Sequence, residues 1–487
     1  MTAPCIVWFR HDLRLADHAA LTAAVDRGGP VICLYILDQD GAGTWARGGA
    51  SLWRLHHSLL SLQTRLLDKG QRLILRKGSA EAILSEIISE TGAEALYWGR
   101  DYEPYAISRD TDLKAHFKDQ GLDVQSFCTR LLFEPWTIAT QAGDPYKVYS
   151  PFWRACLASD EPAAPLPTPH TIPAPECWPQ SDTLTDWHLL PTRPNWAQDF
   201  DPETTGEDWA QSRLRTFLDT RVSDYKDKRD LPAAEVTSGL SAALHFGEIS
   251  PRQIWHKTQA AIDKGEAPAK PAQKFLSELG WREFSYHLLY HFPTLPSENF
   301  RYDFNLFPWR DSTEDLKRWQ LGQTGYPLVD AGMRQLWQTG EMHNRVRMVV
   351  ASFLTKHLML HWRHGEDWFW DTLVDADLAN NAASWQWVAG SGADAAPYFR
   401  IFNPFTQGEK FDAQGQYVRQ WVPELSGLPN TKIHRPWEAS ASELGNAGIT
   451  LGSTYPHPMV DHMTARDRAL EAYEILKSKR EKKEPAD

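Results

Sequence analysis

The sequence predicts a doubly wound parallel α/β domain over residues 1–135 and an all-α domain over 206–487. A long connection over 136–205 joins them. Three observations carry this. Short apolar runs alternate with helical periods in the first part, the pattern of a parallel sheet with crossover helices. Proline becomes dense and periodicity is lost in the middle, as in DEPAAPLPTPHTIPAPECWPQ. From 206 onward the 3.6-residue period returns, broken by Gly, Pro and Asn.

In chain order, CIVWF (5–9), VICLYIL (31–37), RLILR (72–76), ALYW (95–98) and VQSFC (124–128) read as buried strands rich in β-branched and aromatic residues. Helices are expected over 16–25, 50–69, 79–91 and 105–120. Ser79 and Glu81 mark a start, and Gly70 and Gly92 mark stops. The turn after the first strand is FRHDLRLADH. It lacks GxGxxG, and GxxxxGK[ST] occurs nowhere, so a nucleotide in a standard phosphate-binding turn is excluded. A connection as long as 136–205 inside a compact protein is functional or wraps another domain. Further helices are expected over 207–220, 241–246, 251–263, 271–291, 313–321, 327–339, 342–362, 366–373, 378–389 and 463–480, before the charged tail KSKREKKEPAD.

The 487 residues suffice for a large core, and no apolar run is long enough to span a bilayer. The N-terminus turns polar at once (Arg10, His11, Asp12, Arg14), so no signal peptide is read there. Five widely spaced cysteines without a CxxC indicate neither a disulfide framework nor a metal site, and suit a reducing cytoplasm. The net charge of −12 excludes a generally basic nucleic-acid binder but not a local basic groove. Tryptophan is in surplus, with 22 copies.

The densest chemistry lies in 362–411, WRHGEDWFWDTLVDADLANNAASWQWVAGSGADAAPYFRIFNPFTQGEKF. Asp375, Asp377, Asn380 and Asn381 precede Trp385 and Trp387, and Gly390 and Gly392 separate these from Tyr398 and Arg400. A core built for stability would use Leu, Ile and Val. Amphipathic aromatics beside carboxylates and amides suit a large planar ligand. A tryptophan-rich helical core with capping Asp and Asn is the other reading of the same residues.

Several long motifs, in order, resemble the photolyase/cryptochrome flavoprotein family over nearly the whole chain. They are WFRHDLRLADHAAL (8–21), TSGLSAALHFGEISPRQ (237–253), ELGWREF (278–284), TGYPLVDAGMRQL (324–336), MHNRVRM (342–348), DADLANNAASWQW (375–387) and DAAPYFRIFNPFTQGEKFD (394–412). GGASLWRLHHSL (48–59) is similar to the segment in class III cyclobutane pyrimidine dimer photolyases and plant cryptochromes. The resemblance implies FAD in the helical domain. Tyr225, Thr237, Ser238, Gly239, Leu240 and Ser241 would line its adenosine–diphosphate side, and Arg282 would offset the diphosphate charge. Read alone, TSGLS is equally a helix cap after a turn.

The same resemblance turns Asp375, Asp377 and Asn381 toward the isoalloxazine, with Arg347 paired to Asp375. Asn381 matches the position beside flavin N5, where plant cryptochromes carry Asp. An amide there donates and accepts without gaining charge. Trp281 and Trp387 would stack on a flipped-out pyrimidine dimer, and Glu278 would hydrogen-bond it. Asn344, Arg345 and Met348 match other dimer contacts, and Gln407 matches a DNA contact. Asn344 stands where (6-4) photolyases carry a histidine, which favours the cyclobutane dimer. Glu278, Trp281 and Arg282 also fit a plain amphipathic helix face with an i,i+4 ion pair.

Trp309, Trp362 and Trp385 match the triad that carries electrons to the flavin in light, and Trp368 and Trp370 raise the question of a second route. The antenna implied is 5,10-methenyltetrahydrofolate, with a deazaflavin as the alternative. Trp45, Arg47, Trp53, Asp101 and Glu103 are its candidate contacts. Tyr105 and Ala106 replace the Asn-Glu of the familiar folate site. No metal and no obligate protein partner is expected, and the chain should act as a cytoplasmic monomer on damaged DNA. The reading is thus light-driven dimer repair. A blue-light receptor of cryptochrome type is its alternative, and a non-photochemical flavin oxidoreductase would leave the tryptophan triad without a role.

Overall fold

The computed structural model describes residues 2–395 and 399–481; Tyr398 and the last residues of the tail lie outside them. The chain forms two compact units. Unit 1 is Met1–Lys226, Ser238–Pro293 and Val374–Leu378; unit 2 is Asp227–Thr237, Thr294–Leu373 and Ala379–Asp487.

In unit 1 the five strands are β1 (Cys5–Phe9), β2 (Val31–Leu37), β3 (Leu73–Lys77), β4 (Ala95–Gly99) and β5 (Asp123–Phe127). They form one sheet in the order β3-β2-β1-β4-β5. Every pairing is parallel, with Cys5 opposite Val31 on one side and Ala95 on the other. Four helices fill the crossovers: α1 (Ala19–Asp26), α2 (Gly49–Leu67), α3 (Ala80–Thr91) and α4 (Pro104–Asp119).

Strand side chains alternate between faces. Val7, Phe9, Cys33 and Tyr35 pack with Leu21 of α1 and Leu55, Leu59 and Leu62 of α2. Ile6, Trp8, Leu34 and Trp98 pack with Ile83 and Ile87 of α3 and Phe117 of α4. Both faces are covered, which is why the strands read as unbroken apolar runs. Gly92 ends α3 in the left-handed conformation (φ 64°), as its sequence position predicts.

The proline-rich connection is not featureless. It contains the helix Tyr149–Ala158, which the sequence reading left out, and its Ile172, Leu184, Trp187 and Leu189 are buried on the sheet face formed with α1 and α2. Unit 1 also takes in the helices Glu207–Thr220, Pro251–Asp263 and Ala269–His291, with Leu214, Phe217, Ile254, Phe275 and Leu279 in their shared core.

Unit 2 is helical. One expectation is corrected here. A continuous helix over 342–362 is replaced by Asn344–Ser352, a π-helical turn Phe353–His357, and a new helix Trp362–Thr372. The break has local causes. Met359 adopts φ 53°, its carbonyl accepts from Arg310 N at 2.8 Å, and His361 caps the next helix by accepting from Arg363 N. No Gly or Pro marks it, so the periodicity could not show it. The helix Pro404–Phe411 was also left out, although Asn403 caps it and Pro404 opens it, a standard start signal. A hydrophobic core within unit 2 joins Phe304, Phe307, Met359 and Phe399 to Ala469, Ala472 and Leu476 of the helix His462–Glu481. Among the described residues no helix is long and apolar enough to cross a membrane, and the cysteines are free.

Candidate flavin and substrate site

In unit 1, Asp377 is the buried acceptor at the centre. It accepts from Tyr286 OH and from His245 Nδ1 at 3.2 Å, and Arg130 lies 3.7 Å away. Burial alone would raise its pKa. The His245 hydrogen bond and the charges of Arg130 and Arg282 reverse this and hold the carboxyl well below the usual range. His245 is itself lowered by burial, so at neutral pH it donates as a neutral ring. Asp375 stands half-buried two residues before.

Arg130 is the hub that the sequence reading missed. It pairs with Asp101 and donates to Tyr286. Nothing in CTRLLF distinguishes it from a surface arginine. Tyr286 and His245 lie within or just beyond the quoted motifs ELGWREF and TSGLSAALHFGE, where the motif was the available signal.

The proposed diphosphate arginine, Arg282, is buried on the helix Ala269–His291. Its Nη1 donates to Arg130 O at 2.8 Å and pairs with Glu283 at 3.3 Å. Its Nη2 is buried and has no partner among the described residues. A buried guanidinium donor left open fits an anionic diphosphate. Gly239 takes φ 66°, and Arg213 Nε donates to Ser238 O at 2.7 Å. Leu240 is buried, and Ser241 opens the short helix Ser241–His245 without a side-chain cap. Tyr225 packs edge-on against Phe217 at 5.5 Å. Thr237 belongs to unit 2 and is half-buried.

Glu278 and Trp281 share a face of the helix Ala269–His291, at i and i+3. Glu278 takes Lys274 as its i,i+4 partner at 2.7 Å. Trp281 stacks on Tyr149, with ring centroids 3.7 Å apart and planes 10° from parallel. Tyr149 therefore backs the indole, and it lies on the helix the sequence reading left out.

The antenna candidates divide. Arg47 donates to His11 Nε2 at 2.7 Å and meets His245 Nε2 at 3.2 Å, so it belongs to the network around Asp377. Asp101 joins the same network through Arg130. Trp53 sits in a separate apolar cluster, 5.1 Å from Phe200. Trp45 is half-buried at the end of the turn Gly43–Trp45. His11, Asp101 and Glu103 bring ligand-type atoms within 4.8 Å of one another. The cations facing them are the guanidiniums of Arg47 and Arg130, which disfavour a metal ion there.

Glu103 is pushed up to about 7 by burial and by the Asp101 charge. A carboxyl raised from 4.5 in the folded state contributes stability that is fully present below pH 4.5 and is lost as pH rises through about 7. The stability difference between wild type and Glu103→Gln, measured by urea unfolding, is therefore expected to shift against wild type across this window. A difference that does not change with pH contradicts the assignment.

In unit 2, Asn381 is buried and donates from Nδ2 to Glu366 O at 3.0 Å, leaving Oδ1 to accept. Glu366 is fully buried, neither of its carboxyl oxygens has a partner among the described residues, and burial raises it well above its usual value. It stands one turn along the helix from Trp362.

Trp362 is buried and donates to Asn299 at 2.8 Å. His361 lies 5.5 Å from the Trp362 ring and 5.1 Å from that of Trp309, which is half-buried. Trp385 packs edge-on against Phe369 at 5.0 Å and Trp319 at 6.2 Å. Gly365 makes room for it: a Cβ there would come within 2.0 Å of the indole. Trp368 stacks on Trp337 at 5.9 Å, and Trp370 is half-buried.

Asn344 is exposed at the start of its helix. Arg345 pairs with Asp230 at 2.9 Å, Arg347 donates to Met342 O at 2.8 Å, and Met348 is half-buried. His343 caps this helix and is lowered to about 4 by burial, so it is not a proton donor at neutral pH. Trp387 is half-buried and donates to Asp394 O at 3.0 Å. Gln407 keeps a buried Oε1 without a partner among the described residues.

Comparison with known proteins identifies the family. A model for the FAD binding domain of DNA photolyase matches residues 275–475, and one for DNA photolyase matches residues 5–173. The chain is 54% identical over 477 residues to a deoxyribodipyrimidine photo-lyase of Agrobacterium fabrum, covering 98% of each. It is 39% identical over 477 residues to Cryptochrome-1 of Arabidopsis thaliana, covering 96% of this chain and 70% of that one. The crystal structure of a bacterial class III photolyase from Agrobacterium tumefaciens matches with a TM-score of 0.95 at 54% identity, covering 98% of each chain. The chain therefore belongs to the photolyase/cryptochrome family and carries that family's FAD-binding domain.

Proposed function

We propose that this protein repairs cyclobutane pyrimidine dimers in DNA under blue light. Bound FAD supplies, in its reduced form, the electron that opens the dimer ring and then takes it back. The protein's own work is binding, placement and tuning. In unit 1, Arg282 holds diphosphate, with Tyr225, Ser238, Gly239, Leu240 and Ser241 beside it, and ionised Asp377 faces the ring with Asp375. In unit 2, Thr237 adds a hydroxyl, Arg347 a positive charge, and Asn381 presents its amide toward N5.

In unit 1, Trp281 stacks on the dimer and Glu278 hydrogen-bonds it; in unit 2, Trp387 is assigned a stacking role of its own. Asn344, Arg345, Met348 and Gln407 complete the DNA contacts. Trp309, Trp362 and Trp385 return electrons to the flavin. The antenna is methenyltetrahydrofolate, with deazaflavin the alternative. Asp101, Glu103, Arg47, Trp45 and Trp53 are its candidate contacts, and an absorption spectrum of the purified protein distinguishes the two. The free cysteines suit a reducing compartment such as the cytoplasm, and the protein acts as a monomer.

The observation that carries the reading is the pair Glu278–Trp281. It places a half-open carboxylate beside a half-buried indole backed by Tyr149, which is what stacking and hydrogen-bonding an extruded base requires. Dark binding tests it. A duplex carrying a dimer should bind more tightly than an undamaged one. Affinity should fall at least about tenfold between 50 and 200 mM salt, because phosphate contacts release counterions. Equal affinity for the two duplexes, or a flat salt response, would count against a phosphate-lined lesion site. The similarity to Cryptochrome-1 keeps a blue-light receptor as the second reading, and flavin cycling without repair would be its sign.

A further inference from the structure

Lys356 is buried, and the proposed reaction does not use it. It is 1% exposed and stands in the π-helical turn Phe353–His357, a kind of irregularity found most often at functional places. Among the described residues no carboxylate lies within ion-pair distance of it. Its Nζ donates to the Ala389 carbonyl and lies 3.3 Å from the centroid of the Phe399 ring. Burial pushes the amine well below its usual value, and its geometric contribution is the hydrogen bond to the Ala389 carbonyl.

Ala389 is the last residue of the helix Leu378–Ala389 and follows Trp387 by two. Its carbonyl belongs to the last turn, where carbonyls have no partner within the helix. Gly390 then turns the chain at φ 94°. A Cβ there would meet Phe304 at 3.3 Å, Phe399 at 3.4 Å and Lys356 Nζ at 3.6 Å. A small recess of about 20 Å³, room for roughly one water, has Trp387, Val388, Lys356, Phe399, Phe402 and Tyr473 in its wall. The Trp387 indole borders this recess and is held at its own Nε1 by the Asp394 carbonyl, while the end of its helix is held through the Ala389 carbonyl.

We propose that Lys356 is a positioning residue for the substrate wall. By holding the Ala389 carbonyl it fixes the helix end that carries Trp387, and so sets how the indole meets a flipped-out base. The inference rests on the assignment of Trp387 to the dimer wall.

The test is a double-mutant cycle on the FAD-loaded protein with Lys356→Met and Trp387→Ala. The readouts are dark binding to a dimer-containing duplex and to an undamaged duplex, and the rate of flavin photoreduction. Lys356→Met is expected to weaken dimer binding about five- to tenfold, a part of what a base stack contributes. Undamaged-duplex binding and photoreduction should stay within about twofold. In the Trp387→Ala background Lys356→Met should add less than about twofold, because it acts through the missing indole. An equal loss in both backgrounds, or wild-type affinity in Lys356→Met, overturns the proposal. An unchanged affinity in Trp387→Ala alone would instead remove the wall assignment beneath it. Should Lys356→Met lose flavin, Gly390→Ala strains the same helix end from the other side. It should show the same loss of dimer affinity with photoreduction intact, and wild-type affinity there would again overturn the proposal.

Discussion

Replacing Trp385 with Phe is expected to slow light-driven reduction of the bound flavin at least about a hundredfold. Each 1.4 kcal/mol added to a barrier costs about tenfold in rate, and a benzene ring is harder to oxidise than an indole by well over twice that. The fold should tolerate the change. Trp385 lies between Phe369 and Trp319 and against Gly365, so a smaller aromatic keeps most of these contacts. Bleaching of the flavin band under blue light with an external reductant reads the effect directly. Trp319 is the next indole inward, and Trp337 with Trp368 forms a stacked pair in the same unit. Photoreduction that survives in Trp385→Phe would assign a second route through tryptophans outside the triad. Complete loss would show that no bypass exists.

Glu278→Ala is expected to lower repair yield about ten- to a hundredfold while leaving flavin bound. A hydrogen bond involving a charged group is worth about 1.5–3 kcal/mol, which sets that range. The variant also frees Lys274 from its ion pair. That pair is partly exposed, with side chains 40% and 26% accessible, so its loss should hardly change stability. Repair yield and flavin content measured on the same sample separate the roles. Loss of flavin from Glu278→Ala would move this carboxylate out of the substrate site and toward the cofactor.

Much of the first domain was legible because a doubly covered parallel sheet needs unbroken apolar strands. The runs 5–9 and 31–37 carry no competing polar signal, and they match β1 and β2 residue for residue. The helix Pro327–Thr339 was equally plain, opened by a proline and closed by Gly340 at φ 70°. The break between His357 and Trp362 was not legible. It is made by a positive φ at Met359 and by hydrogen bonds from Arg310, which is remote in sequence.

The site was legible where its residues sit in long motifs. It was hidden where a lone residue acts by long-range contact. Arg130 and Tyr149 are of this kind: one is a buried hub tied to Asp101 and Asp377, the other the support beneath Trp281. The burial of Glu366 was hidden too, since a Glu in a helix flanked by charged residues reads as solvated.

The most direct measurement is repair itself. A purified, flavin-reduced sample is mixed with an oligonucleotide carrying one thymine cyclobutane dimer and exposed to blue light, with a dark control. The account predicts that intact thymines reappear in the light and not in the dark. A flavin that absorbs and cycles while the dimer persists would contradict it.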